Sequence, residues 1–404
     1  MLFSEDGQYL PVTLKLSNGT EISICPKIRT TLAAYKMPKC RVALIERSPR
    51  LSLQQHNNQR VVALGQLATG VLDTVGVFKD LQQNACFPYQ RMFIWDQHSR
   101  GELEFSSNDV DLPQLGHMID SVHCNYLLQR ALEAHPQIDV VFDTRIGELE
   151  NSENTLATVS TNKGCYSAPL IVAADGGQSS IRRLAKISTN QHSYEQIGIV
   201  AKIACSLPHQ NTAWQRFLKD GPLGVLPLAN NQCSIVWSCK QPYGQQLNAL
   251  TDEEFCLELA EALEQRLGEV SLVNPRQSFP LNSNNSARYF NQRIVLVGDA
   301  AHSIHPLAGQ GANLGFKDAQ CLVELLSQAN EAQDDNLTKL LARYEYVRRS
   351  DNQVTDRAMT LLNSAFLQNN PVWSALRGLG MSWVSGSKAL KTLLTQQAVG
   401  SDPR

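Results

Sequence analysis

No stretch of this 404-residue chain approaches the roughly 18 consecutive apolar residues of a membrane-spanning helix, so any bilayer contact is expected to be peripheral. The opening residues lack the charged-then-apolar pattern of an export signal. Charge of one sign is also missing: 36 Lys and Arg stand against 38 Asp and Glu, which removes the electrostatic case for nucleic acid as a partner. Ten cysteines run from Cys25 to Cys321 without one C-x-x-C pair, so neither a zinc site nor a disulfide framework is indicated, and a reducing cytoplasm is the expected setting. No catalytic triad and no metal-ligand cluster can be recognised. What remains is a chain with 43% apolar and 18% charged residues, long enough for two or three structural units around a sizeable core.

The most informative segment is Ile294–Ala319, IVLVGDAAHSIHPLAGQGANLGFKDA. Ile294–Val297 reads as a buried parallel strand that stops at Gly298-Asp299, which puts Asp299 at the crevice mouth where open α/β sheets bind ligands. Its carboxylate is suited to accept hydrogen bonds from sugar or ribitol hydroxyls. Pro306 fixes φ, and Gly309 and Gly311 let backbone approach a flat ring. Gly315, Ala319, Leu322 and Leu326 then keep one small or apolar face at helical spacing. A helix therefore begins here, with free N–H groups and a positive dipole end turned back toward the loop.

Two further strands end in acids. Cys40–Glu46 (CRVALIE) places Glu46 where an adenosine ribose is bound in dinucleotide folds, and Pro169–Asp175 closes on Asp175-Gly176-Gly177. Residues 60–78 read as a strand and a helix stopped by Gly76, Asn125–Leu132 as helix, and Thr155–Ser160 with Gly164–Ser167 as a hairpin. From about 190 to 280 the pattern becomes alternating strands (Ile197–Ala204, Gly224–Leu228, Cys233–Ser238) with one helix, Asp252–Leu267. Beyond about 330 the chain is mainly helical. The expected architecture is α/β: a Rossmann-like unit of residues 1–80, 112–188 and 285–330, interrupted by a mainly antiparallel sheet of 81–111 and 189–284, with C-terminal helices over 331–404.

With these motifs the chain resembles the class A flavin-dependent aromatic hydroxylases, and among them the monooxygenases of ubiquinone biosynthesis, over about residues 38–400. The resemblance rests first on GDAAHSIHPLAGQGANLG (Gly298–Gly315) and ADGGQSSIR (Ala174–Arg182). Weaker support comes from QRVVAL around Arg60, LGHMID (Leu115–Asp120) and FLKDGPLGVLPL (Phe217–Leu228). It implies FAD as cofactor, NAD(P)H and O₂ as co-substrates, and a phenol with an isoprenoid tail as substrate. Carried over residue by residue, Glu46, Arg60, Asp175, Gly176, Arg182, Gly298, Asp299, Gly309, Gln310, Gly311, Ala312 and Asn313 hold the cofactor. Pro306, Leu307 and Gly309 form the surroundings of the flavin and oxygen, with no acid–base residue and no metal assigned.

One family element is missing. Residues 9–35, YLPVTLKLSNGTEISICPKIRTTLAAY, contain only Gly19 where a G-x-G-x-x-G turn belongs about 20 residues before Glu46. Two explanations stand: an altered start or frame ahead of Met37-Pro38, or a variant that holds FAD through its other motifs. The first is the expectation, because the pattern resumes abruptly. A flavin-free structural or assembly homologue is the alternative function. His302 and His305 are proton-relay candidates or plain packing groups; Trp214, Phe217 and Trp237 are pocket-lining or core. The apolar C-terminal stripe with Leu361, Leu362, Phe366, Trp373, Leu376 and Leu379 docks on the catalytic unit, or contacts the inner membrane or a biosynthetic partner.

Overall fold

The computed structural model describes Lys36 and residues 40–52, 60–99, 101–152, 156–304, 311–328, 334–367 and 370–399. His305, Pro306, Leu307, Gly309 and Gln310 lie outside the described residues, as does the segment 9–35. The architecture is α/β, as the motifs imply.

The nucleotide-binding part is assembled from distant pieces of chain. Strand Val42–Ile45 pairs in parallel with Ile138–Val141, and Ile171–Ala173 pairs in parallel with Ile294–Leu296. All four residues of the first strand and all three of each member of the second pair are buried, which is why they read as unbroken β-branched runs rather than as alternation. They form one core with Tyr289, Leu340, Leu341 and Tyr344. A second core joins helices Gln66–Thr74, Phe78–Asn84 and Ser121–Ala134 to Phe316 and Val323 of helix Gly311–Ser327. Gly76, with φ +78°, ends the first of these helices in the left-handed conformation that favours glycine.

The interrupting layer is a nine-stranded sheet whose longest member is Thr189–Cys205. Its register with Gln232–Lys240, Val200 opposite Val236, continues through Gly224 and Gln215 to Ile94. Side chains alternate across it. Ile199, Ile203, Leu223, Val225, Ile235 and Trp237 point to one face, which helix Asp252–Ala262 covers with Phe255 and Leu259. Val200, Lys202, Gln215, Leu226 and Val236 therefore belong to the other face. That face looks toward the nucleotide-binding part, since Lys202 Nζ lies 3.9 Å from Asp120 Oδ2.

The stretch Cys86–Phe105 divides between two layers. Cys86–Tyr89 pairs with Gly116–Asp120, which also pairs with Val61–Leu64, whereas Arg91–Asp96 and Glu102–Ser106 join the nine-stranded sheet. Gly116 permits the switch: a Cβ there would stand 2.6 Å from Leu64 O and 3.0 Å from the Tyr89 ring. Three helices, Asp334–Leu367, Pro371–Gly386 and Lys388–Val399, complete the described chain.

Candidate functional site

The strand Ile294–Leu296 runs into a tight turn because Gly298 adopts φ +61°, which L side chains rarely accept. Asp299 follows it, half-buried. Burial pushes its carboxyl above the ordinary aspartate value, Arg60 and His302 oppose that rise, and Asp318 adds to it. Arg60, 239 positions earlier by its number, thus lies close enough to Asp299 to oppose that rise. Arg60 itself is exposed. Glu46, 1% exposed, closes the strand Val42–Ile45, with its Oε1 accepting the Ser48 N–H at 2.8 Å.

Helix Gly311–Ser327 is fastened to the strand that follows Arg60. Asn313 Oδ1 accepts the Gly65 N–H at 3.0 Å, and its Nδ2 donates to Ala63 O at 3.0 Å. Ala312 packs into the second core. Gly311 leaves a gap: a Cβ there would meet no atom of the described residues within 4 Å. The described residues thus form a cradle with a carboxylate on one side and the dipole of a 17-residue helix on the other.

Asp175 and Gly176 make a second loop against the first. Asp175, 2% exposed, accepts N–H groups of Ser180 at 2.6 Å and Ile181 at 3.1 Å and the hydroxyl of Ser179, so it caps helix Ser180–Leu184. Gly176 has φ +77°. Arg182 links the two loops, donating from one terminal nitrogen to Gly177 O and from the other to Ala300 O, both at 2.7 Å.

The charged group that reading by motif overlooks is Asp318. Completely buried in the middle of helix 311–327, it accepts the Gly298 N–H at 2.9 Å and His302 Nε2 at 2.6 Å on one oxygen. Its other oxygen accepts Arg348 Nε at 2.7 Å and Asn352 Nδ2 at 3.3 Å. Burial opposes its ionisation, but His302 and Arg348 more than offset this and hold the carboxyl well below the usual range. Tyr289 stacks on His302, 5.9 Å between ring centres, and its hydroxyl accepts from Asn352. His302 is therefore part of the frame that holds the Gly298-Asp299 turn. A signal was present: an acid among Leu314, Phe316, Ala319 and Leu322, on an otherwise apolar helical face.

The aromatic candidates separate. Trp237 is 1% exposed and packs on Phe255 and Tyr243, and Trp214 packs on Phe93 and Trp95, all on the helix-covered face away from the crevice. Phe217 sits on the crevice side and stacks on Phe366 with ring centres 3.6 Å apart. No group of three or more His, Cys, Asp or Glu suited to a metal occurs among the described residues.

A family profile described as an FAD binding domain matches residues 40–358, which is most of the chain and includes each described loop of the crevice. The 3-demethoxyubiquinol 3-hydroxylase of Escherichia coli K12 is 30% identical over 342 residues, covering 84% of this chain and 87% of the relative. The chain belongs to the FAD-binding hydroxylases of ubiquinone biosynthesis. A ubiquinone hydroxylase, UbiL of Rhodospirillum rubrum, is 31% identical, covering 87% of this chain and 82% of that one. The fold is shared with p-nitrophenol 4-monooxygenase PnpA of Pseudomonas putida at a TM-score of 0.76 and 14% identity, over 98% and 100% of the two chains. As a member of this hydroxylase family, the chain is an FAD-dependent aromatic monooxygenase. The cradle fits FAD: at Gly311 and Gly177 a Cβ would meet no atom of the described residues within 4 Å, leaving room for backbone to approach a ligand.

Proposed function

We propose that this hydroxylase adds one oxygen atom from O₂ to an aromatic ring carrying a polyprenyl tail, with NAD(P)H as the electron donor. The observation that carries the reading is the meeting of Asp299, Arg60 and the open Gly311 helix end in one crevice, opposite a sheet face that is half apolar. When bound there, FAD supplies the redox chemistry, and the protein supplies orientation, dryness and fixed dipoles.

In this reading Asp299 and Glu46 receive hydroxyl groups of the cofactor, while Gly298 and the backbone of Gly311, Ala312 and Asn313 come close to its ring system. Arg60 balances negative charge near Asp299. Asp175, Gly176 and Arg182 shape the loop on the other side; because both terminal nitrogens of Arg182 are engaged by carbonyls, its service is to clasp two loops rather than to meet a phosphate. Pro306, Leu307, Gly309 and Gln310, outside the described residues, complete the surroundings of the flavin. Residues 1–80, 112–188 and 285–330 would then hold the cofactor and 81–111 with 189–284 the substrate. The lipid tail suits a peripheral stance at a membrane. No helix among the described residues is long and apolar enough to cross one.

A second reading is favoured by one observation, the single glycine in residues 9–35: a homologue with structural or assembly duties that binds flavin weakly. Purified full-length protein separates the two. The hydroxylase reading expects a yellow protein that oxidises NADH or NADPH and yields a product heavier by one oxygen from a short-tailed 2-polyprenylphenol. Colourless protein that takes up no added FAD would establish the second reading.

A further inference from the structure

The crevice-side face of the nine-stranded sheet contains a niche that the cofactor motifs leave unexplained. Gln215 is 5% exposed, and its amide makes no hydrogen bond among the described residues. Its atoms are not fully enclosed, unlike Trp95 Nε1 and Trp214 Nε1 on the opposite face. An amide held in a mostly buried side chain with its polar atoms still open to the crevice is positioned to exchange water for another hydrogen-bonding group. Gln215 thus offers both a donor and an acceptor to whatever enters from that side.

The surroundings give that partner a shape. Gln215 pairs directly with Gly224 across the strands, and Gly224 pairs with Val236; directly paired residues share a face. Gly224 has no side chain, and a Cβ there would meet only Val236 O at 3.8 Å. A flat gap therefore opens beside the amide. Leu226 and Val236 border it within the sheet. The next position along Gln215's strand on this face is Phe217, stacked on Phe366 of helix 334–367. The open space over Gly224 thus has Leu226 and Val236 beside it, the Gln215 amide across from it, and the Phe217 and Phe366 stack two residues further along.

We propose that Gln215 is a substrate-binding residue: the aromatic ring lies over Gly224, and the amide hydrogen-bonds an oxygen substituent on the ring. This rests on the hydroxylase reading for the identity of the ring, and it adds which residue reads the ring's oxygen. An amide both donates and accepts, so it holds the oxygen as hydroxyl or ether and fixes which carbon is presented for reaction.

The test uses the full FAD-loaded chain and two probes, 2-geranylphenol and geranylbenzene, which differ by the one oxygen. Binding is read from perturbation of flavin absorbance and, independently, from tryptophan fluorescence. The wild type should prefer the phenol by about tenfold, the worth of one hydrogen bond near 1.4 kcal/mol, and Gln215→Met should lose that preference while binding geranylbenzene as before. Gly224→Val should weaken both probes at least about tenfold without loss of flavin, since its added atoms enter open space. A Gln215→Met protein that still prefers the phenol, or a Gly224→Val protein that binds both probes like wild type, overturns the proposal, and so does a wild type that binds neither. Failure of turnover with intact probe discrimination would instead count against the hydroxylase reading and leave Gln215 in place.

Discussion

Asp318 shows how much of a cofactor crevice is held by a residue that never faces it. Its two oxygens serve Gly298, His302, Arg348 and Asn352, so the turn presenting Asp299 is fixed from behind. Replacing Asp318 with Ala leaves Arg348, 5% exposed, without its buried partner. Removing one member of such a pair costs about 3–5 kcal/mol, and urea unfolding of Asp318→Ala should show a loss of that size. The pH dependence follows from the lowered carboxyl. A group depressed on folding stabilises above its unfolded value, about 3.9, and loses that contribution as pH falls through the folded value. Wild-type stability should therefore decline below about pH 4, and Asp318→Asn should flatten that decline. An equally steep acid decline in Asp318→Asn would show that other carboxylates dominate.

At the scale of elements, the crevice depends on how helix 311–327 is tied to strand 61–64. Asn313 makes both ties. Substituting Ala leaves the Gly65 N–H and the Ala63 carbonyl without them, a loss of about 1–3 kcal/mol. Because Arg60 precedes this strand, Asn313→Ala should also weaken FAD measurably in a fluorescence titration. Unchanged FAD affinity would mean that the strand end keeps its place through the sheet alone.

The same elements show what was legible beforehand. Strands 42–45, 171–173 and 294–296 announce themselves because burial on both faces leaves continuous β-branched runs, each closed by an acid or by Gly-Asp. Helix 311–327 follows from its small and apolar spacing, and the hairpin of 157–161 with 164–168 appears within two residues of its expected place. The long strand was only half visible: its first part, 189–195, is polar and mostly exposed, and the strand is bulged between Ser193 and Gln196, with Glu195 at φ +54°. Alternation cannot signal a strand where neither face is buried. Which face Trp214, Phe217 and Trp237 take depends on whether a helix covers the sheet from that side. That is a tertiary fact, and no local pattern carries it. The buried pairs formed by Asp318 and Arg348, and by Asp96 and Arg377, were invisible for the same reason, since their members lie 30 and 281 positions apart.

The whole molecule is closed by its C-terminal helices, and the second of those pairs is the fastening. Arg377, 8% exposed, donates to Asp96 at 3.3 Å and 3.2 Å, to Ala365 O at 2.9 Å and to Ser374 Oγ at 3.2 Å. Its guanidinium also lies 5.4 Å from the Phe366 ring centre. Beside it the backbones approach closely, because a Cβ on Gly101 would stand 3.1 Å from Gly378 Cα. Helix 371–386 is thus docked on the edge hairpin of the nine-stranded sheet, next to the Phe217 and Phe366 stack. On its outer side Leu379 is 68% exposed and Trp383 70%. Arg377→Met should destabilise the fold by about 3–5 kcal/mol, because it leaves the buried Asp96 carboxylate without its hydrogen-bonded partner. The double variant Asp96→Asn with Arg377→Met should recover part of that loss, since no buried charge remains unpaired, and the difference measures the coupling. Additive losses in the urea cycle would show that the ion pair does not fasten the helix, and that packing at Gly101 and Gly378 does. If the pair is the fastening, Arg377→Met should also raise the KM for a 2-polyprenylphenol while leaving FAD content unchanged, because the wall it braces borders the proposed substrate niche and not the proposed cofactor crevice.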